Sequence, residues 1–115
     1  MKENDAILAE RIGDTLMSKN IGYDHKRMFG GHCFMVDDKM LMGTYQGGLM
    51  VRVDPDTMDD LLKKKGVKPM IHGGKTMKAF LMVEAGLVVG DSDLEFWIDR
   101  CMEFNPRAKS SKKLF

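Results

Sequence analysis

At 115 residues, with 43% hydrophobic and 30% charged residues, the chain has the balance of one soluble globular domain and the length for a single core. A net charge of +1 denies it the strong electrostatic footprint of an autonomous DNA binder. Its longest apolar runs, such as 79–83, suit a strand and not a bilayer, and no apolar signal core follows the first five residues. Neither membrane insertion nor secretion is expected, and a cytoplasmic location is.

Residues 5–18 read as a first helix. Leu8, Ile12 and Leu16 recur every four residues, Asn4 or Asp5 can cap the start, and Asn20 with Gly22 supplies the stop. Ala9 and Gly13, four apart, would let this helix approach the sheet closely. Tyr23 to Met28 then reads as a strand, which Gly30-Gly31 breaks or bulges before the next one at His32 to Val36. Asp37-Asp38 is a hairpin signal leading to Lys39–Tyr45, and Gln46-Gly47-Gly48 turns the chain into Leu49–Val53. Within that strand Leu49, Val51 and Val53 share one face and Met50 and Arg52 the other. Turns this short make neighbours antiparallel, so a four-stranded meander is expected.

Asp54-Pro55 opens a second helix, with Asp54 as cap and Pro55 at the first helical position. Acids Asp56, Asp59 and Asp60 come early and Lys63-Lys64-Lys65 late, an order that suits the helix dipole without any ligand. Met58, Leu61 and Leu62 form its buried stripe. Residues 68–75, with Pro69 and Gly73-Gly74, read as a loop, and Met77–Val83 as a strand apolar on both faces and so central in the sheet. Ser92-Asp93-Leu94-Glu95 has the pattern of a capping box. It starts a last helix that buries Leu94, Trp97, Ile98 and Cys101 and ends at Asn105-Pro106. The domain is therefore placed at 1–106, with a basic, flexible tail at 107–115.

Three groups of residues in this order carry a family likeness: Lys26-Arg27-Met28-Phe29-Gly30-Gly31, then Phe34-Met35-Val36, then Gly48-Leu49-Met50-Val51-Arg52-Val53. Pro69-Met70, Met77-Lys78 with Phe80, and Asp93-Leu94 with Trp97 complete it. Together they make the chain resemble the TfoX/Sxy amino-terminal domain over about its whole length. The resemblance implies an α+β fold, a mostly antiparallel sheet with helices packed against it, here in the order α-β-β-β-β-α-β-α. In longer members of the family this domain precedes a helical second domain and the whole regulates competence genes for DNA uptake. This chain stops after the last helix of the amino-terminal domain, so a stand-alone member is expected. The family usually has Gly where this chain has Ala79, and often an aromatic where it has Met82.

Arg27, Arg52 and Lys78 stand out as polar residues inside apolar strand motifs, and with Phe29, Gly30 and Gly31 they form the candidate binding surface. Alternation along a strand also places such residues on an ordinary solvent face, and the glycines also suit a bulge anchored by Phe29. Gly73-Gly74-Lys75-Thr76 looks like the end of a phosphate-binding loop, but Pro69 stands where that motif needs Gly and a strand follows. His25, His32, His72, Cys33 and Cys101 show no recognised ligand spacing, and adjacent His32 and Cys33 point to opposite faces. Two buried, reduced thiols are expected. The 12 methionines are assigned mainly to the core, with any surplus on an outer sheet face as an adaptable binding surface.

The reading is thus a non-enzymatic regulatory module that binds a protein partner, or itself, through a sheet face or strand edge. Neither catalytic residues, metal nor cofactor are expected. A nucleic-acid-associated regulator is the second reading, and a small-ligand domain or enzyme with a pocket near Gly30-Gly31 and His72 the third.

Overall fold

The computed structural model describes residues 2–28 and 30–108. Helix α1 (Lys2–Ser18) leads into β1 (Asp24–Met28), β2 (Gly31–Val36), β3 (Lys39–Tyr45) and β4 (Gly48–Arg52). A 3-10 turn (Pro55–Thr57) and α2 (Met58–Leu62) follow, then β5 (Val67–His72), β6 (Lys75–Val83), a second 3-10 turn (Ala85–Val88) and α3 (Asp91–Phe104). The fold is α+β, a six-stranded antiparallel sheet in the order β1-β2-β3-β4-β6-β5. It has one strand more than the sequence reading: residues 68–75, expected as a loop, form most of β5 and its turn into β6. The Pro and the glycine pair masked a strand whose Val67 and Met70 are buried.

Two-residue turns set the meander. Asp37-Asp38, Gln46-Gly47 and Gly73-Gly74 all have positive φ at both positions (54° and 65°, 48° and 84°, 60° and 79°), the backbone twist that matches antiparallel strands. Gly73-Gly74 is thus a hairpin turn and Lys75 starts a strand, as the dismissal of the phosphate-loop motif required. Gly30-Gly31 makes no bulge: Met28 pairs with Gly31 across a turn in which Gly30 has φ 77°.

One sheet face carries Phe34, Val36, Met42, Leu49, Val51, Leu81 and Val83 against Leu8, Ile12 and Leu16 of α1 and Leu94, Trp97 and Ile98 of α3. Gly13 lies under Tyr23, whose hydroxyl would be 2.7 Å from a Cβ there. Asp54 accepts the Asp56 backbone N–H at 2.9 Å, the cap expected of it, and this bond together with Arg107 holds its carboxyl below the ordinary carboxylate range. The capping box does not form. Helix α3 starts two residues earlier, with Gly90 in place of Ser92 as cap, which places Ser92 inside the first turn.

The opposite face is a second core. Cys33, Met35, Met40, Tyr45, Met50, Met70 and Phe80 are buried there, with Met28, Met77 and Met82 packed at the margin. β6 pairs with β4 only as far as Phe80 and continues with β5 as a longer hairpin. That arm bends at Ala79, which has φ 68°, and at a register shift between Pro69 and Ile71. Bent so, it brings Met70 and Met77 onto the methionine layer, and the Tyr45 hydroxyl lies 3.0 Å from His72 Nδ1. Met35, Met40, Met50 and Met70 are therefore buried on that face, with Met28, Met77 and Met82 half-buried at its margin, so among the described residues the methionines form a core layer there rather than a contiguous exposed patch.

The left-handed conformation at Ala79 explains why the family usually has Gly there, since an L side chain is strained at such φ. Ala79→Gly is expected to stabilise the fold by about 1 kcal/mol, read as a higher urea midpoint with unchanged slope.

Candidate functional site

The five candidate residues that the structure describes do not form one surface. Arg52 is 7% exposed, its guanidinium 5.5 Å from the centroid of Phe80 and 6.0 Å from that of Phe104. The end of β4 is roofed by the arm and by the last turn of α3, so this cation, expected at the surface, is part of the interior. Burial lowers its pKa from the ordinary guanidinium value. Lys78 is exposed on the arm, in β6, with three strands between it and β1 in the sheet order. Phe29 lies outside the described residues. Gly31 serves the fold: a Cβ there would sit 2.1 Å from the Thr44 carbonyl oxygen.

Arg27 stays at the surface, on a strand exposed over four of its five residues. β1 is an end strand, exposed from Asp24 to Arg27 and half-buried at Met28. It pairs with β2 on one side, and an end strand directs alternate N–H and C=O groups outward on the other. The opposite end of the sheet is blunted: β5 carries Pro69 and a register shift. In the register of β1, Arg27 pairs with His32 and His25 with Phe34, so His25, Arg27 and His32 share the face that carries α1. Lys26 points to the other face. The strand therefore presents a cation on each side of an outward-facing backbone edge.

Within this cluster His25 Nε2 lies 2.8 Å from His32 Nδ1, one ring donating to the other, and the His32 backbone N–H donates to Thr44 Oγ1 at 3.0 Å. Burial first, then the charges of His25 and Arg27, hold the His32 imidazole below its ordinary pKa, with Asp5 of α1 acting the other way. The histidine pair was missed in the sequence because it is diagonal, seven residues apart across a turn. The signal was the chain reversal before Gly31: with Met28 opposite Gly31, positions 25, 27 and 32 fall on one face. Asn105 was missed too. Buried, it donates to the Val36 carbonyl at 3.1 Å while Lys39 Nζ donates to the Asn105 carbonyl at 3.0 Å, tying the end of α3 to the β2–β3 hairpin. The described fold also runs past 106, through Arg107, which pairs with Asp54 at 2.9 Å, to buried Ala108. Residues 109–115 of the expected tail lie outside the described residues.

Both thiols are buried, and burial pushes Cys33 up to about 11 and Cys101 up to about 12, far from a reactive thiolate at neutral pH. Neither thiol is expected to react with a thiol reagent at pH 8 on the timescale of minutes, and both react at once in denaturant. Rapid native labelling of one would reveal an accessible nucleophile. Shallow clefts run beside Gly66, Lys68 and Glu84, and between Lys64, Phe96 and Trp97, and neither takes in Gly30, Gly31 or His72. Among the described residues no three His, Cys, Asp or Glu side chains converge on a metal position, and no helix is long and apolar enough to cross a membrane.

Comparison with curated proteins and with solved structures found no match. The family model of the TfoX N-terminal domain matches residues 15–105, from the end of α1 through α3, and the chain belongs to the TfoX N-terminal domain family.

Proposed function

We propose that this domain is a non-enzymatic regulatory module of the cytoplasm that binds a protein partner by taking an extended segment of it onto the outer edge of β1. The observation that carries the reading is the contrast between the two ends of the sheet. β1 is exposed from Asp24 to Arg27 and has no proline, whereas β5 is blunted by Pro69 and a register shift. Helices cover most of one sheet face and the β5–β6 arm packs on the other, while β1 stays exposed at the end of the sheet, which makes its edge the favoured place for recognition. Added strands gain affinity from main-chain hydrogen bonds and specificity from side chains on alternate faces. Lys26 on one face and Arg27 on the other favour a segment carrying acidic residues. Membership of a family whose longer members regulate competence genes is consistent with a regulatory partner.

The test is capture from native cell extract by the wild-type chain and by a Lys26→Glu/Arg27→Glu variant first shown to melt at the wild-type temperature. A protein held by wild type despite nuclease, and released by the variant, supports the reading. Recovery of nucleic acid that salt removes transfers the role to phosphate binding. Equal capture by both chains places the site elsewhere.

A further inference from the structure

We propose that His25 and His32 together form a binding site for a divalent first-row transition ion of the Ni2+ or Cu2+ type. The proposal stands on geometry and is independent of the partner-binding role of β1. The two ring nitrogens that face each other are 2.8 Å apart, and the ring centroids 5.0 Å apart with planes 23° from parallel. The rings therefore meet nitrogen to nitrogen, nearly coplanar, with a single proton between them. With metal–nitrogen bonds of about 2.0–2.1 Å, two imidazoles at a right angle hold their nitrogens about 2.9 Å apart, and at the tetrahedral angle about 3.3 Å. The observed spacing matches cis positions of a square-planar or octahedral ion, the geometry of Cu2+ and Ni2+, more closely than tetrahedral zinc.

Reaching the bound arrangement requires both rings to turn from the facing geometry. The proton between the rings moves by way of solvent to the outward nitrogen of the ring that held it, which leaves lone pairs on His25 Nε2 and His32 Nδ1. Each ring then turns so that both lone pairs converge on the ion, and water fills the remaining positions. The backbone is already set: β1 and β2 are locked in register from Asp24↔Met35 to Met28↔Gly31, and the His25 ring rests 5.3 Å from the Phe34 ring. The ligand form of histidine is the neutral one, and the surroundings of His32 favour it. Arg27 shares the face and opposes a cation, while Asp5 of α1 favours one. Arg27→Gln is accordingly expected to tighten the site.

The experiment is calorimetric titration of the full chain with Ni2+, a redox-inert probe suited to a protein with 12 methionines and two thiols. The wild type is compared with His25→Gln, His32→Gln and His72→Gln. One ion per chain is expected, with either His25→Gln or His32→Gln weakening it by about tenfold or more, because a chelating pair loses its tight site when one arm is removed. His72→Gln should bind as wild type does. Independent loss of one weak site per histidine, an equal effect of His72→Gln, or no binding by wild type overturns the proposal. Cu2+ electron paramagnetic resonance of the wild-type chain gives a readout free of any variant. Coupling to two ring nitrogens supports the site, and coupling to one sinks it.

Discussion

Replacing Gly31 with alanine is expected to destabilise the domain by about 3 kcal/mol, at the upper end of overpacking costs. The added Cβ would lie 2.1 Å from the Thr44 carbonyl oxygen and 2.9 Å from its Oγ1. The obstacle is backbone, which cannot swing aside as a side-chain tip can, so β2 and β3 must part where His32 bonds to Thr44. For a domain of this size the fall in Tm is roughly 10–15 °C. Gly30→Ala provides the contrast. A Cβ there meets nothing, and the cost comes only from φ 77°, about 1 kcal/mol. Neighbouring glycines thus act for different reasons, one for its conformation and one for its lack of a side chain. Equal losses in the two variants would contradict the close approach of β2 and β3.

The second large effect concerns the methionine layer. Met70→Ala is expected to cost about 3 kcal/mol, within the range for emptying a fully buried methionine site. Met70 is completely buried although it belongs to the edge strand, because the hairpin arm turns it onto Met50, Phe80 and their neighbours. Adjacent Ile71 is 57% exposed, and Ile71→Ala should change stability by no more than about 0.5 kcal/mol. Such a difference between consecutive residues, measured by urea unfolding, distinguishes an arm packed on the sheet from one that projects into solvent. A small effect of Met70→Ala would mean the second face is uncovered, and recognition through a methionine surface would regain its support.

These two sites show what was legible in the sequence and what was not. Helices α1 and α3 were readable because Leu8, Ile12 and Leu16, and likewise Leu94, Ile98 and Cys101, keep a helical spacing that burial then uses on one side. The β2–β4 meander was readable because Asp37-Asp38 and Gln46-Gly47 are local turn signals, and the faces of Leu49–Val53 followed from simple alternation. β5 was not, because Pro69 and a bulge interrupt the alternation and the burial of Met70 comes from a bend two strands long. Ala79 concealed that bend, since nothing in an alanine announces a left-handed backbone; the family preference for Gly at this position was the clue. The surface candidates fared according to their place in the sheet. Alternation correctly put Arg52 opposite the helix face, but it could not show that the arm and Phe104 would close over that side. Arg27 stayed outside because β1 is the end strand, a property of sheet order that local pattern does not encode.

The outer edge of β1 as the place where a partner strand adds is most directly tested by amide hydrogen exchange, residue by residue, on the chain alone and with the captured protein bound. Exchange should slow at Asp24–Met28 on binding and stay unchanged at Val67–His72, because a new ladder of hydrogen bonds forms on one edge and not on the other. Unchanged exchange in β1, or slowing centred on β5 or on the helices, would contradict the account and move the interaction surface away from the strand edge.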